Sequence, residues 1–332
     1  MNIRIIGAGW YGCYIGMFLM AKGHEVTIFE KEAAPFLGAS GFNQSRLHLG
    51  FHYPRSQATR SASYLGYKLF HEIYPSLIQP VLCNIYCIAQ GSLIDFKSYL
   101  AVLDSYDAPY FEINPKQFGL QNVEGAIQTP EYVILQAAAQ KYFQAVLKDN
   151  LVCDAKIEID SNTHSDWTID CTFGAFGCEG IDVYEPCIMH LYNGPGTTAI
   201  TMMDGPFGSL YPWQGTDMIS LTAVQHTPMG KVKTYEEARY RVNEFKGNHA
   251  LVEHNRNEME KVITAYVPWF HEKWKWEKEV YSIRGVPFSR ADSRQCIVTK
   301  ADDRLISVQP GKIDAIFSAA QRVENIITPT PV

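Results

Sequence analysis

Residues 3–6, Ile-Arg-Ile-Ile, form a short apolar run with the character of a buried strand. Residues 10–22 continue with helical spacing until Gly23 interrupts it. A second strand is predicted at 24–30, ending in Glu30. Beyond this unit the pattern predicts a helix at 64–74, a strand at 81–90, a helix at 95–106 and a turn-rich stretch at 109–129. A strong helical pattern follows at 131–148, with Tyr132, Leu135, Ala139, Tyr142, Phe143 and Val146 near one face. Strands are expected at 151–159 and 167–170. Residues 189–203, 208–212 and 218–225 alternate as antiparallel strands around turns at Gly194-Pro195-Gly196 and Gly215. One or two helices at 235–265, strands at 279–286, 295–299 and 304–308, and a closing helix at 312–327 complete the chain.

This order predicts an α/β fold in which a Rossmann-like domain with a parallel sheet is interleaved with a mainly antiparallel β domain carrying helices. The nucleotide domain is expected from residues 1–75, 131–180 and 290–332, and the substrate domain from 76–130 and 181–289. No internal repeat is visible.

Between the first strand and helix, Gly7-Ala8-Gly9-Trp10-Tyr11-Gly12 reads G-x-G-x-x-G. Gly7 permits the tight turn, Gly9 lets backbone approach a pyrophosphate, and Gly12 lets the helix pack closely with its N-terminus toward the phosphates. Gly16 extends that close packing. Glu30 stands where a carboxylate hydrogen-bonds an adenosine ribose. Strand, glycines, helix, strand and acid in register predict a dinucleotide site.

The 332 residues are 46% hydrophobic and 19% charged, with a formal net charge of -6. That balance disfavours indiscriminate binding to nucleic acid or an anionic membrane and favours a small-molecule partner. The apolar stretch at 10–20 is too short to span a bilayer and reads as the first Rossmann helix, so the expectation is a cytoplasmic protein without a leader. Eight cysteines are scattered without C-x-x-C pairs or zinc-like spacing, and are read as reduced, mostly buried thiols; no metal is expected.

Three segments together resemble the D-amino-acid oxidase and glycine oxidase superfamily of FAD-dependent oxidoreductases. They are the Gly7–Gly12 turn with Glu30, Cys171-Thr172-Phe173-Gly174-Ala175, and Pro310-Gly311-Lys312-Ile313. An ordinary NAD enzyme needs neither the second nor the third, so the cofactor expected is FAD. The stretch 38–56, from Gly38-Ala39-Ser40-Gly41 through Gln44-Ser45-Arg46-Leu47-His48-Leu49-Gly50 to Tyr53-Pro54-Arg55-Ser56, resembles the superfamily segment that runs beneath the pyrophosphate and along the flavin. It is also similar to that of L-2-hydroxyglutarate dehydrogenases and, more loosely, glycerol-3-phosphate dehydrogenases. Expected cofactor contacts are Gly7, Gly9, Trp10, Tyr11, Gly12, Glu30, Lys31, Ser40, Gln44, Ser45, Arg46, Leu47, His48, Val152, Gly174, Ala175, Gly311, Lys312 and Ile313. Gln44 and Ser45 offer hydrogen bonds suited to a phosphate-lining loop, and the start of the last helix offers N–H groups for a reduced flavin.

His48, Arg284 and Tyr211 are the first candidates for chemistry. His48 is placed nearest the flavin, as proton acceptor or substrate partner. Arg284, in Tyr281-Ser282-Ile283-Arg284-Gly285-Val286-Pro287, resembles the position of a carboxylate-binding arginine in glycine-oxidase-like proteins, with Arg-Gly-Val-Pro in place of Arg-Pro; Arg290 is its substitute and a salt bridge its plain alternative. Tyr211 and His226 are candidates for the roof. Trp269, Trp274 and Trp276 read as packing, and Glu253, His254, Glu258 and Glu260 as a solvated helix face. The leading expectation is oxidation of a C–N bond beside a carboxylate, in a small amino acid, an N-substituted glycine or a glycine unit on a modified nucleobase. The alternatives are a 2-hydroxy-acid dehydrogenase and a redox-neutral or non-catalytic flavoprotein.

Overall fold

A computed structural model describes residues 1–159, 164–176, 181–286 and 296–329. One sheet has six strands in the order Ile297–Asp302, Leu305–Gln309, Trp167–Asp170, Asn2–Ile6, Glu25–Phe29, Leu151–Val152. Neighbours run parallel, apart from the antiparallel pair Ile297–Asp302 with Leu305–Gln309. Asn2–Ile6 is an inner strand, so Ile3 and Ile5 are fully buried, and the helices Trp10–Ala21 and Ile316–Ile327 pack against each other beside it. Ligand sites in such sheets lie beyond the carboxyl ends of the strands, where the Gly7 and Cys171 loops meet here.

A second sheet has eight strands in the order Lys275–Val286, Val183–Asn193, Met218–Ala223, Gly208–Pro212, Thr198–Met203, Cys83–Ala89, Val123–Gln128, Phe111–Ile113. It is antiparallel except where Thr198–Met203 meets Cys83–Ala89. Period-two alternation divides its faces. Ile200, Leu210, Ile219 and Leu221 enter a core with Val242, Val252, Met259 and Ile263 of the helices Tyr235–Lys246 and His249–Thr264. The register sets Thr201 opposite Ser209, Ser209 opposite Thr222 and Tyr211 opposite Ser220, so the other face carries a hydroxyl patch. A small antiparallel sheet, Arg46–Leu47 with Tyr132–Ile134 with Ile78–Pro80, stands between the two.

The α/β class and both large sheets agree with the pattern, and several local elements do not. The expected helix at 131–148 begins only at Gln136 and ends at Val146, because Tyr132–Ile134 pairs as a strand on both sides; Val146 is exposed. The expected strand at 151–159 is two residues, Leu151–Val152. The helix read at 64–74 starts at Gln57, where the Ser56 side chain accepts from Thr59 N–H. Around Gly194-Pro195-Gly196 no hairpin forms: Val183–Asn193 pairs with Met218–Ala223, two strands away from Thr198–Met203. The closing helix begins at Ile316, after a 3-10 turn at Ile313–Ala315.

Candidate active site

The cradle at the first turn is made of backbone. Gly7 has φ +99°, and a Cβ there would lie 2.7 Å from the Cys171 carbonyl oxygen. A Cβ on Gly12 would come within 1.9 Å of the Gly7 carbonyl oxygen, and one on Gly9 within 2.6 Å of Ser40 Oγ. Ser40 Oγ accepts the Trp10 N–H at 3.0 Å. The Glu30 carboxylate accepts the N–H groups of Ala8 at 2.8 Å and Glu32 at 3.1 Å, bracing the glycine turn while keeping lone pairs for a ribose. Lys31 and Val152 flank it at the surface; the Val152 carbonyl accepts the Glu30 N–H, and Lys31 pairs with Glu32. Gly174, φ +80°, sits across the sheet with its carbonyl held by the Tyr184 hydroxyl at 2.6 Å, and Ala175 follows it, half-buried.

Two expected cofactor contacts point elsewhere. The Trp10 indole lies in an aromatic core with Phe36, Phe70, Tyr74 and Phe143, and its Nε1 donates to Gln136 Oε1 at 2.7 Å. Ser45 turns inward too, its Oγ accepting from Gln136 Nε2, because the buried Gln136 needs partners for both ends of its amide. Asn43 supplies the turn they share, accepting the Ser45 N–H and donating to the Ala39 and Ser40 carbonyls.

Tyr11 ties the first helix to the last segment: its hydroxyl donates to the Lys312 carbonyl at 2.5 Å and accepts the Gly311 N–H at 3.3 Å. Ile313 follows in the 3-10 turn. Lys312 is not an exposed first-turn lysine. Its ammonium donates to Ser63 Oγ, pairs with Asp314 Oδ2 at 3.0 Å and lies 4.8 Å from the centre of the Tyr53 ring.

In the two-residue strand Arg46–Leu47, Leu47 is fully buried while Arg46 reaches Thr201 and Ser209, and His48 follows the strand. His48 is buried, and its Nδ1 has no hydrogen-bond partner among the described residues. Burial, with the positive charges of Lys312, His52 and Arg46, holds its pKa well below the usual imidazole value, so the ring is neutral at neutral pH. Arg46 donates from Nε to Gln44 Oε1 at 3.1 Å, from Nη1 to Thr201 Oγ1 at 2.8 Å and from Nη2 to Ser209 Oγ at 2.9 Å. Gln44 in turn donates to Ser220 Oγ. The Arg46 guanidinium lies 4.3 Å from the centre of the Tyr211 ring.

Tyr211 therefore enters the site as the floor under Arg46; its own hydroxyl is spent on the Tyr132 carbonyl at 2.9 Å, which corrects the expectation of a chemical role. Arg284 is also corrected. It lies opposite Glu185 in the sheet and pairs with that carboxylate through Nε at 2.6 Å and Nη2 at 2.5 Å, so an internal anion occupies the edge expected to await a substrate. Arg290 lies outside the described residues. His226 lies by the outer helices, its carbonyl bound by Asn255. Trp274 is core, Trp269 bonds the Phe118 carbonyl, and Glu253, Glu258 and Glu260 pair with Arg256 and Lys261 along their helix.

Sequence reading passed over Glu131. Fully buried, it accepts the Leu49 N–H at 2.6 Å, Asn84 Nδ2 at 2.6 Å and the Tyr86 hydroxyl at 2.7 Å, and so pins the backbone next to His48. Burial raises its pKa to about 7 against those three donors and the Arg46 charge. An acid within a predicted helix gave no signal of this.

Residues 2–149 match the family described as FAD dependent oxidoreductase, DAO. The chain is 36% identical to the FAD-dependent monooxygenase FPY4 of Fusarium mangiferae, over 98% of this chain and 91% of that protein. The chain belongs to the DAO family of FAD-dependent oxidoreductases. Among solved structures it is similar to glycine oxidase from Geobacillus kaustophilus (TM-score 0.70, 14% identity, 99% of this chain and 95% of that one). It is equally similar to FAD-bound L-alpha-glycerophosphate oxidase from Mycoplasma pneumoniae (TM-score 0.71, 12% identity, 99% and 96%). At those identities the likeness shows the DAO fold. FAD is the cofactor of this DAO-family enzyme, and its residues fit the group: a backbone cradle that any Cβ would fill, an acid at the ribose position, and a buried His48 nitrogen without a partner among the described residues.

Proposed function

We propose that this enzyme oxidises the C–N bond of a small carboxylate-bearing amine: an amino acid, an N-substituted glycine, or a glycine unit carried on a larger molecule such as a modified nucleobase. The observation that carries the reading is the Arg46 guanidinium, held by neutral partners among the described residues, near the buried, neutral His48, with Lys312, paired to Asp314, and His52 when protonated adding positive charge. Such a field favours an anionic group and disfavours an ammonium. The amine then binds as its free base, whose lone pair assists departure of the neighbouring hydride. Bound FAD supplies the two-electron acceptor. His48 needs only to accept a hydrogen bond or the N–H proton, the imine leaves, and water hydrolyses it. Arg46 and the hydroxyl patch orient, Glu131 holds the His48 segment, and Lys312 keeps its charge beside Tyr53.

A second reading, oxidation of a 2-hydroxy acid, is favoured by the same neutral imidazole, since a hydroxyl must lose its proton to a base. The relative's name adds transfer of an oxygen atom as a further outcome. Anaerobic stopped-flow reduction of the bound flavin by an amino-acid panel and a hydroxy-acid panel decides between the first two. For an amine, the rate should rise with pH through the substrate's own pKa. His48→Asn should slow amines less than about 10-fold and hydroxy acids on the order of 100-fold or more. Label from oxygen-18 gas in the organic product would replace both with a monooxygenase, and no reduction by either panel would point to a redox-neutral flavoprotein. A cytoplasmic location and a small-molecule partner belong to this proposal; no described helix is long and apolar enough to cross a membrane.

A further inference from the structure

Two arginines border the site and differ in what already holds them. Arg284 has Glu185 on its Nε and Nη2 edge, and Lys231 approaches the other oxygen of that carboxylate at 3.6 Å. Arg46 has only neutral partners: Gln44, Thr201 and Ser209, one bond from each of its three nitrogens. Among the described residues no carboxylate lies within ion-pair distance of it. One N–H on each terminal nitrogen therefore donates no hydrogen bond to a described residue. The position is held firmly all the same. Thr201, Ser209 and Thr222 form a hydroxyl row across three strands, Ser209 and Thr222 lie 2.9 Å apart, and the Tyr211 ring is fixed below by its bond to Tyr132. Arg46 is also two residues from His48, and its charge acts on that ring.

We propose that Arg46, seated on the Thr201–Ser209 hydroxyl row and the Tyr211 ring, is the residue that binds the substrate carboxylate, while Arg284 joins two strands through Glu185. This rests on the carboxylate reading above and assigns its recognition to a different residue. A guanidinium preorganised by neutral hydroxyls keeps its full charge for an incoming anion, whereas one paired to Glu185 must first give up an existing carboxylate. It also places the carboxylate on the His48 side of the site.

The test is titration of FAD-loaded protein with acetate and with acetamide, read as the shift of the flavin absorption band. Wild type should bind acetate in clear preference to acetamide. Arg46→Met should weaken acetate on the order of 100-fold with little effect on acetamide, and Arg46→Lys should restore part of the loss. Thr201→Val with Ser209→Ala leaves the guanidinium in place and loosens its seat, so acetate should weaken about 10-fold even if the Met variant fails to load FAD. Acetate retained by Arg46→Met, or by the double variant where the Met variant cannot be loaded, overturns this assignment and leaves the carboxylate reading standing. So does loss of acetate in Arg284→Ala alone. Wild type indifferent to acetate overturns both.

Discussion

The cradle at residues 7–41 and the hydroxyl patch around Arg46 serve one site by opposite means. In the cradle the turn is bare: Gly7, Gly12 and Gly41 leave room that backbone already presses into, Gly9 leaves room that Ser40 Oγ takes, and a Cβ on Gly41 would lie only 2.2 Å from the Phe36 carbonyl oxygen. Around Arg46 side chains are stacked: Gln44 comes from the segment just before its strand, and Thr201, Ser209, Ser220 and Tyr211 from three strands more than 150 residues later. The cradle is thus vulnerable to added atoms and, Glu30 apart, built without charge. The patch is the reverse, tolerant of small shape changes and sensitive to a lost charge or hydroxyl.

The largest expected effect follows from adding one methyl to the cradle. Gly12→Ala should destabilise the fold by about 3 kcal/mol and abolish FAD retention, since the colliding atom is backbone and cannot turn away. Urea midpoints and flavin per chain measure this; retention of stoichiometric FAD would end the comparison.

Glu131 sharpens the other side. Its folded pKa of about 7 stands above the ordinary 4.5, so the folded chain holds its proton more tightly. That contribution is fully present below pH 4.5 and is lost as pH rises to about 7, on the order of 3 kcal/mol in all. Glu131→Gln should flatten the stability profile across that window, by up to one proton in the slope. An unchanged profile in chemical denaturation from pH 4.5 to 8 would place the titration elsewhere.

Next comes Glu30→Ala, which removes acceptors from the Ala8 and Glu32 N–H groups together with the ribose partner, for about 2 kcal/mol of FAD affinity by calorimetry. Tyr11→Phe is the mildest. It frees the Lys312 carbonyl and the Gly311 N–H at about 1 kcal/mol, read in melting temperature, with the flavin spectrum unchanged.

The same contrast explains what could be read in advance. The cradle is local: glycines, strand and acid lie within thirty residues, and the hydrogen bonds of Glu30 follow from that spacing. The Arg46 seat depends on register between strands far apart in sequence, and no periodicity announces that Thr201 will face residue 46. Tyr132–Ile134 was lost to helix because its apolar spacing runs smoothly into Gln136–Val146, and only pairing with Arg46–Leu47 and Ile78–Pro80 makes it a strand. The first two turns from Gln57 were missed for the opposite reason: their buried residues, Thr59, Arg60 and Ser63, are polar. Arg284 looked unoccupied because Glu185 is 99 positions away.

The bond from Tyr11 to Lys312 also has a consequence for biosynthesis. The strand carrying the glycine turn is made well before two of its partners: one sheet neighbour is residue 167 onward and the loop that Tyr11 grips is finished only near position 312. A nascent chain that has not yet exposed position 312 has the cradle sequence without the scaffold that shapes it. Flavin should therefore be held only once position 312 has left the ribosomal exit tunnel, and cells short of FAD should accumulate unloaded chains.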